Sequence, residues 1–259
     1  MNIDLEHALE TVRLAATRGA EAALRRFRKN IDIELKSDKS VVTIADREAE
    51  AAIIDVLRSR FPDHAILGEE SGAHERRSPY RWIVDPIDGT LGFSRGSSFW
   101  GPLVALEHEG KILAGALGLP ALGELYVAAR GLGCWNGDRR LRVSSIDTWS
   151  DATLSLGELR RLVQGEFEHP VLELCRTAKS ARCYGDLAAV TLVLEGRAEA
   201  YIEGGVKIWD LAPLPVLLEE AGGRFTDMTG SQNLELGNGI GTNGLVHEYV
   251  LEHFRTTPH

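Results

Sequence analysis

The most constraining stretch of this chain is Trp82-Ile83-Val84-Asp85-Pro86-Ile87-Asp88-Gly89-Thr90, an apolar, strand-like run that ends in two carboxylates three residues apart. At such a strand exit the chain can turn and aim both side chains at one point. Pro86 fixes its own φ and biases Asp85 towards extended geometry, so the pair is held rather than loose. Gly89-Thr90 follows, a pair suited to close backbone approach by a phosphate. Two further acidic segments frame it, Gly68-Glu69-Glu70-Ser71 upstream and Trp209-Asp210-Leu211-Ala212-Pro213 far downstream.

Glu69, Asp85, Asp88 and Asp210 are therefore candidates for one carboxylate cage. Two carboxylates about 4 Å apart repel by about 1 kcal/mol in water, and by about 4 kcal/mol at an effective dielectric of about 20. Three or four converging would not stay ionised without cations. All-oxygen ligation selects Mg²⁺ or Mn²⁺ over Zn²⁺. The eight histidines are scattered, and no His-x-x-x-His or Cys-x-x-Cys pair occurs, which speaks against zinc. Each piece alone has a plainer reading. Glu69-Glu70 fits a solvated loop, Asp210 fits a helix cap, and Thr43-Ile44-Ala45-Asp46 fits a helix start. The order and wording of the segments together point to metal chemistry beside an anion pocket.

Around these motifs the periodicity alternates. Leu5, Leu9, Val12 and Ala16 recur at helical spacing, continued by Ala20, Ala23, Leu24 and Phe27, with Gly19 expected to bend or interrupt the helix. Residues 31–36 read as a short strand, and a second helix starts near Thr43 and ends at Phe61-Pro62. Residues 64–67 and 81–84 are two short strands, each running into an acidic motif. From 100 to 143, consecutive strands separated by turn residues predict an antiparallel meander. The polar connector 144–151 is the expected boundary between two closely packed halves, residues 1–145 and 146–259. Beyond it come a helical stripe (Leu187, Val190, Leu194), a strand over 200–203, and a helix over 210–221 closed by Gly222-Gly223.

A chain of 259 residues with 44% hydrophobic and 26% charged residues has an ordinary globular composition. Its net charge of −9 argues against nucleic-acid binding but not against a small phosphorylated substrate, because bound cations invert the local field. No apolar run approaches the roughly 18–20 residues that span a bilayer, and the polar, acidic start Met1-Asn2-Ile3-Asp4 is not a signal peptide. Three widely spaced cysteines suit reduced thiols, so the cytoplasm is the expected address. Gly131-Leu132-Gly133-Cys134-Trp135-Asn136-Gly137 has the wrong spacing and context for a dinucleotide loop. A Walker pattern is absent.

Taken in order, the three acidic motifs resemble those of the inositol monophosphatase family of metal-dependent phosphatases. Lys36-Ser37, Val42-Thr43, Asp46 and the glycine-ended Glu219-Glu220-Ala221-Gly222-Gly223 add to the resemblance, which spans essentially the whole chain. It implies an α/β (α+β) fold, a layered αβαβα sandwich of the inositol monophosphatase and fructose-1,6-bisphosphatase type with the active site between two subdomains. It implies metal ligands at Glu69, Asp85, the Ile87 carbonyl, Asp88 and Asp210, holding two or three Mg²⁺ ions with Mn²⁺ as a substitute. Gly89 and Thr90 would bind the phosphate. A Li⁺-sensitive homodimer acting on a small phosphorylated metabolite is implied as well. One departure is Leu91, where many inositol phosphatases have a second Thr that helps orient the attacking water. Leu91 cannot hydrogen-bond, which leaves Glu69 and Asp46, acting through water on the metals, as the groups that orient it.

For the substrate, Arg182-Cys183-Tyr184-Gly185-Asp186, Phe93-Ser94-Arg95-Gly96 with Trp100-Gly101, and Gly196-Arg197-Ala198-Glu199-Ala200 look like the histidinol-phosphatase branch, which serves histidine biosynthesis. Histidinol phosphate carries an ammonium and an imidazole, for which Asp186 and Glu203 are favourable partners. Asp186 equally fits a cap for the following helix, and Glu203 could bind an inositol hydroxyl, so inositol 1-phosphate or another sugar or nucleotide phosphate is the alternative. A non-catalytic phospho-ligand binder would be expected to lack a metal carboxylate or Thr90, and none is missing.

Overall fold

The computed structural model describes residues 3–29, 33–35 and 41–255, and the side chain of Asp186 is outside that description. Lys36-Ser37 and part of the first expected strand also lie outside the described residues.

Helix α1 (Leu5–Leu24) begins where the Asp4 carboxylate accepts the amides of Glu6 and His7 at 3.0 and 3.1 Å. It passes through Gly19 without a break, contrary to the bend expected from sequence. A Cβ on Gly19 would lie 2.7 Å from Ile53, so the glycine serves the close crossing with α2 (Ile44–Arg60) instead of a kink. Thr43 caps α2 in a reciprocal box with Asp46, as the Thr-x-x-Asp spacing suggests. Just ahead of it, β1 (Ile33–Leu35) and β2 (Val41–Thr43) pair antiparallel.

Eight strands form the first large sheet: β3 (Ala65–Gly68), β4 (Gly72–His74), β5 (Tyr80–Asp88), β6 (Gly101–His108), β7 (Lys111–Leu119), β8 (Glu124–Ala129), β9 (Gly133–Asn136) and β10 (Arg139–Arg140), in the order β10-β9-β8-β7-β6-β5-β3-β4. The expected meander is β6 to β10, every pair antiparallel, whereas β3 and β5 run parallel. Alternate residues serve opposite faces. Trp82 and Val84 pack against α1 and α2, while Ile83 faces the other core.

Between the sheets lie α6 (Asp186–Leu194) and α8 (Leu214–Glu220); of three shorter helices, α3 (Thr90–Ser94) and α4 (Leu159–Leu162) come before α6 in the chain and α7 (Ile208–Leu211) comes between α6 and α8. The second sheet contains β11 (Thr153–Leu156), β12 (Ser180–Cys183), β13 (Ala200–Gly204), β14 (Arg224–Thr226) and β15 (Asn238–Thr242) in the order β12-β11-β13-β15-β14. Its outer face is covered by α5 (Glu168–Thr177) and α9 (His247–Arg255). The layers are thus αβαβα, as the resemblance implies. The single helix expected over 210–221 is two, because Pro213 has no N–H to continue the ladder and instead starts α8. Gly222, at φ +92°, follows α8 in the left-handed region that glycine tolerates.

Candidate metal and phosphate site

Strand β5 does not end at Val84, as its composition suggests, but continues to Asp88 through a register shift against β6 between Asp85 and Asp88. Pro86 sits in this irregularity, where a missing N–H costs no ladder bond. The shift re-aims the strand end, and Asp85 Oδ1 accepts the Ile87 amide at 2.9 Å. Gly101 pairs with Asp88, and a Cβ there would lie 2.0 Å from the Gly118 carbonyl, so the neighbouring strands can close only around a glycine.

Asp210 arrives from the start of α7, which packs on β5, and its Oδ2 accepts the Lys207 amide at 2.7 Å. One carboxylate oxygen each from Asp85, Asp88 and Asp210 lies within 4.8 Å of the others. Glu69 follows β3 directly, with its amide donating to the Val84 carbonyl at 3.1 Å. Burial holds the Asp85 carboxyl well above the usual range, and the charges of Glu69, Asp88 and Asp210 add to the rise. Burial raises Asp210 as well, against hydrogen bonds and the nearby Arg161 and Lys207 that favour its charge. A buried acid whose shifting neighbours are all acids is relieved by a hard cation, and the oxygen-only donor set fits a divalent metal.

Beside this cluster, Gly89 adopts φ +80° and starts α3. The Thr90 hydroxyl lies 3.0 Å from Asp46 Oδ1 and 2.9 Å from the Ile87 carbonyl. Asp46 is fully buried and also accepts the Thr43 hydroxyl and amide at 2.7 and 2.8 Å. Burial raises its pKa, outweighing those hydrogen bonds. Glu203, at the end of β13, accepts the amides of Gly204 and Glu158 and the Tyr201 hydroxyl, and burial pushes it up to about 7. A Cβ on Gly157 would lie 1.7 Å from Glu203 Oε2, so the carboxylate fills that space.

The sequence profile of the inositol monophosphatase family matches residues 4–259. The chain belongs to the inositol monophosphatase family. It is 37% identical over 241 residues to a histidinol-phosphatase of Chlorobaculum parvum, covering 93% of this chain and 92% of the relative. It is 35% identical over 245 residues to an inositol-1-monophosphatase of Mesorhizobium japonicum, covering 92% of each. Among solved structures, extragenic suppressor protein suhB of Bartonella henselae superposes with a TM-score of 0.89 at 29% identity, covering 97% of this chain and 99% of that one. The fold and the metal-dependent phosphatase chemistry are those of the family.

Of the residues expected at the site, the structure brings Asp85, Asp88 and Asp210 together, puts Glu69 near enough for its charge to act on Asp85, and places Thr90 on Asp46. Leu91 is about half exposed (51%). Asp186 opens α6 after Gly185, and its side chain is outside the described residues. The amides of Gly131 and Gly133 are taken by Glu220 at 2.8 Å each, consistent with a hairpin turn and not an anion loop. Trp100 is fully buried and Trp135 partly so, and Arg76 and Arg77 are exposed. Two participants were not flagged by spacing. Tyr201 is buried with its hydroxyl on Glu203, and Glu50 is buried with its carboxylate on the amides that follow Glu69. The only signal for Glu50 is that it falls one helical turn after Asp46.

Proposed function

We propose that this enzyme is a Mg²⁺-dependent phosphomonoesterase whose preferred substrate is histidinol phosphate. The observation that supports the reaction class is the convergence of Asp85, Asp88 and Asp210 within 4.8 Å. Glu69, Asp85, Asp88, Asp210 and the Ile87 carbonyl would hold two or three Mg²⁺ ions, with Mn²⁺ as a substitute. When bound, the ions supply Lewis-acid stabilisation of the phosphoryl oxygens and activate water. The chain's own part is positional. Asp46, fixed by Thr43, takes the Thr90 proton in a hydrogen bond, which leaves a hydroxyl lone pair to orient a water. Gly89, without a side chain, leaves room for the phosphate. Glu69 completes the cage and shares in holding that water.

Asp186 and Glu203 would face the organic part of the substrate. An arriving ammonium or imidazolium would favour the ionised form of Glu203 over the neutral form that burial prefers. The similarity to the Chlorobaculum parvum relative supports histidinol phosphate. The nearly equal similarity to the Mesorhizobium japonicum relative favours inositol 1-phosphate as the second reading. The same proposal includes a Li⁺-sensitive cytoplasmic homodimer whose chain divides at residues 145/146. The deciding experiment measures phosphate release from both esters with Mg²⁺, with EDTA and with added Li⁺. Mg²⁺-dependent preference for histidinol phosphate is expected. Preference for inositol 1-phosphate would return Asp186 to a capping role, and silence on both would overturn the substrate assignment.

A further inference from the structure

Helix α2 carries two buried carboxylates four residues apart, Asp46 at 0% and Glu50 at 3% exposure. That spacing puts both on one face. Asp46 reaches Thr90 at 3.0 Å. Glu50 reaches the other side of the site, where Oε2 accepts the Glu70 amide at 2.9 Å and Oε1 the Ser71 amide at 2.8 Å. Glu69 is therefore fastened on both sides. Its own amide is tied to the Val84 carbonyl at 3.1 Å, and the next two amides are tied to Glu50.

Gly68, the last residue of β3, explains why the carboxylate fits. A Cβ at position 68 would lie 2.6 Å from Glu50 Oε2 and 2.8 Å from its Cδ, so Glu50 occupies the volume a side chain would need. A carboxylate is costly to bury unless hydrogen bonds compensate, and here each oxygen has a backbone donor. A cross-link for stability alone would need only to join α2 to the strand end. This one grips the two amides immediately after a metal-facing acid, from the helix that also holds Thr90.

We propose that Glu50 is a positioning residue for Glu69, and that α2 uses Asp46 and Glu50 together to fix the two sides of the metal and phosphate site. The inference rests on the reading that Glu69 is a metal ligand, and the test separates the two. Mn²⁺ binding without substrate is measured by electron paramagnetic resonance of the free ion, alongside the metal-free thermal midpoint. The variants are Glu50→Gln, Glu50→Asp, Glu69→Gln and the double Glu50→Gln/Glu69→Gln. The carboxamide keeps the shape of Glu50 but turns an NH₂ towards a backbone N–H. Glu50→Asp keeps the charge and withdraws it by one methylene, so it carries the same comparison should Glu50→Gln not fold.

Folded Glu50 variants are expected to bind Mn²⁺ about tenfold more weakly, the scale typical of groups that orient a ligand. The double variant is expected to bind no more weakly than Glu69→Gln, because Glu50 acts through Glu69. If Glu69→Gln weakens Mn²⁺ binding while the Glu50 variants lower only the thermal midpoint, Glu50 is a structural cross-link and the inference is wrong. Independent, multiplying losses in the double variant would also overturn it. Unchanged binding in Glu69→Gln would overturn the ligand assignment itself, and the inference with it.

Discussion

Asp85 and Asp88 are separated by two residues and by their surroundings. Asp85 is buried (2% exposed), and its charge is opposed by burial and by three acids, whereas Asp88 stands half-buried at the strand end. Asp88→Asn is nearly isosteric and removes one negative charge from the cage. It is expected to lower Mg²⁺-dependent turnover by at least about 100-fold, on the scale of losing one preorganised electrostatic group, while circular dichroism stays unchanged. Hydrolysis close to the wild-type rate by that variant would remove Asp88 from the ligand set. At this scale the sequence already marked the acids, because their spacing sits in unusual wording. It did not mark Glu50 or Tyr201, whose partners come from elements distant in sequence.

His247 acts between elements. Its ring lies 3.0 Å from the Thr226 hydroxyl of β14 and 3.0 Å from the Thr242 hydroxyl of β15, while its backbone opens α9. Burial first, and then Arg224 and Arg255 against the opposing Glu248, push its pKa down to about 4. The folded state therefore binds this proton less readily than the unfolded chain. Its neutral ring imposes no penalty above the ordinary value near 6.5. Stability is lost as pH falls from there through about 4, and the penalty levels off below that. Near pH 4.5 the loss is about 2–3 kcal/mol. Replacing His247 with Gln should flatten the dependence of the thermal midpoint on pH across this window. A variant whose midpoint tracks the parent through it would show that His247 is not the group responsible. The elements themselves were largely foreseen from periodicity. Three differences, the unbroken α1, the extension of β5 and the split at Pro213, have tertiary causes or depend on a single missing N–H.

Across the whole molecule, the largest buried cluster joins Ile83, Leu103, Leu117 and Tyr126 of the first sheet to Leu187, Val190, Leu217 and Phe225 from beyond residue 146. Halves that share a core cannot each expose their side of it cheaply. Urea unfolding is expected to be a single transition, with near- and far-ultraviolet dichroism coincident. Two resolved transitions would show that residues 1–145 and 146–259 fold independently. No helix among the described residues is long and apolar enough to cross a membrane. The sequence by itself determined the meander and the Thr43–Asp46 helix start, which follow from short-range periodicity and capping, and the acidic motifs, whose rare Asp-Pro-Ile-Asp-Gly-Thr string carries the family resemblance that implied the layered class. Only the tertiary structure decided that Glu50 reaches the amides after Glu69 and that Gly19 and Gly101 serve close approach. Those facts depend on which faces pack together, and linear spacing does not encode that.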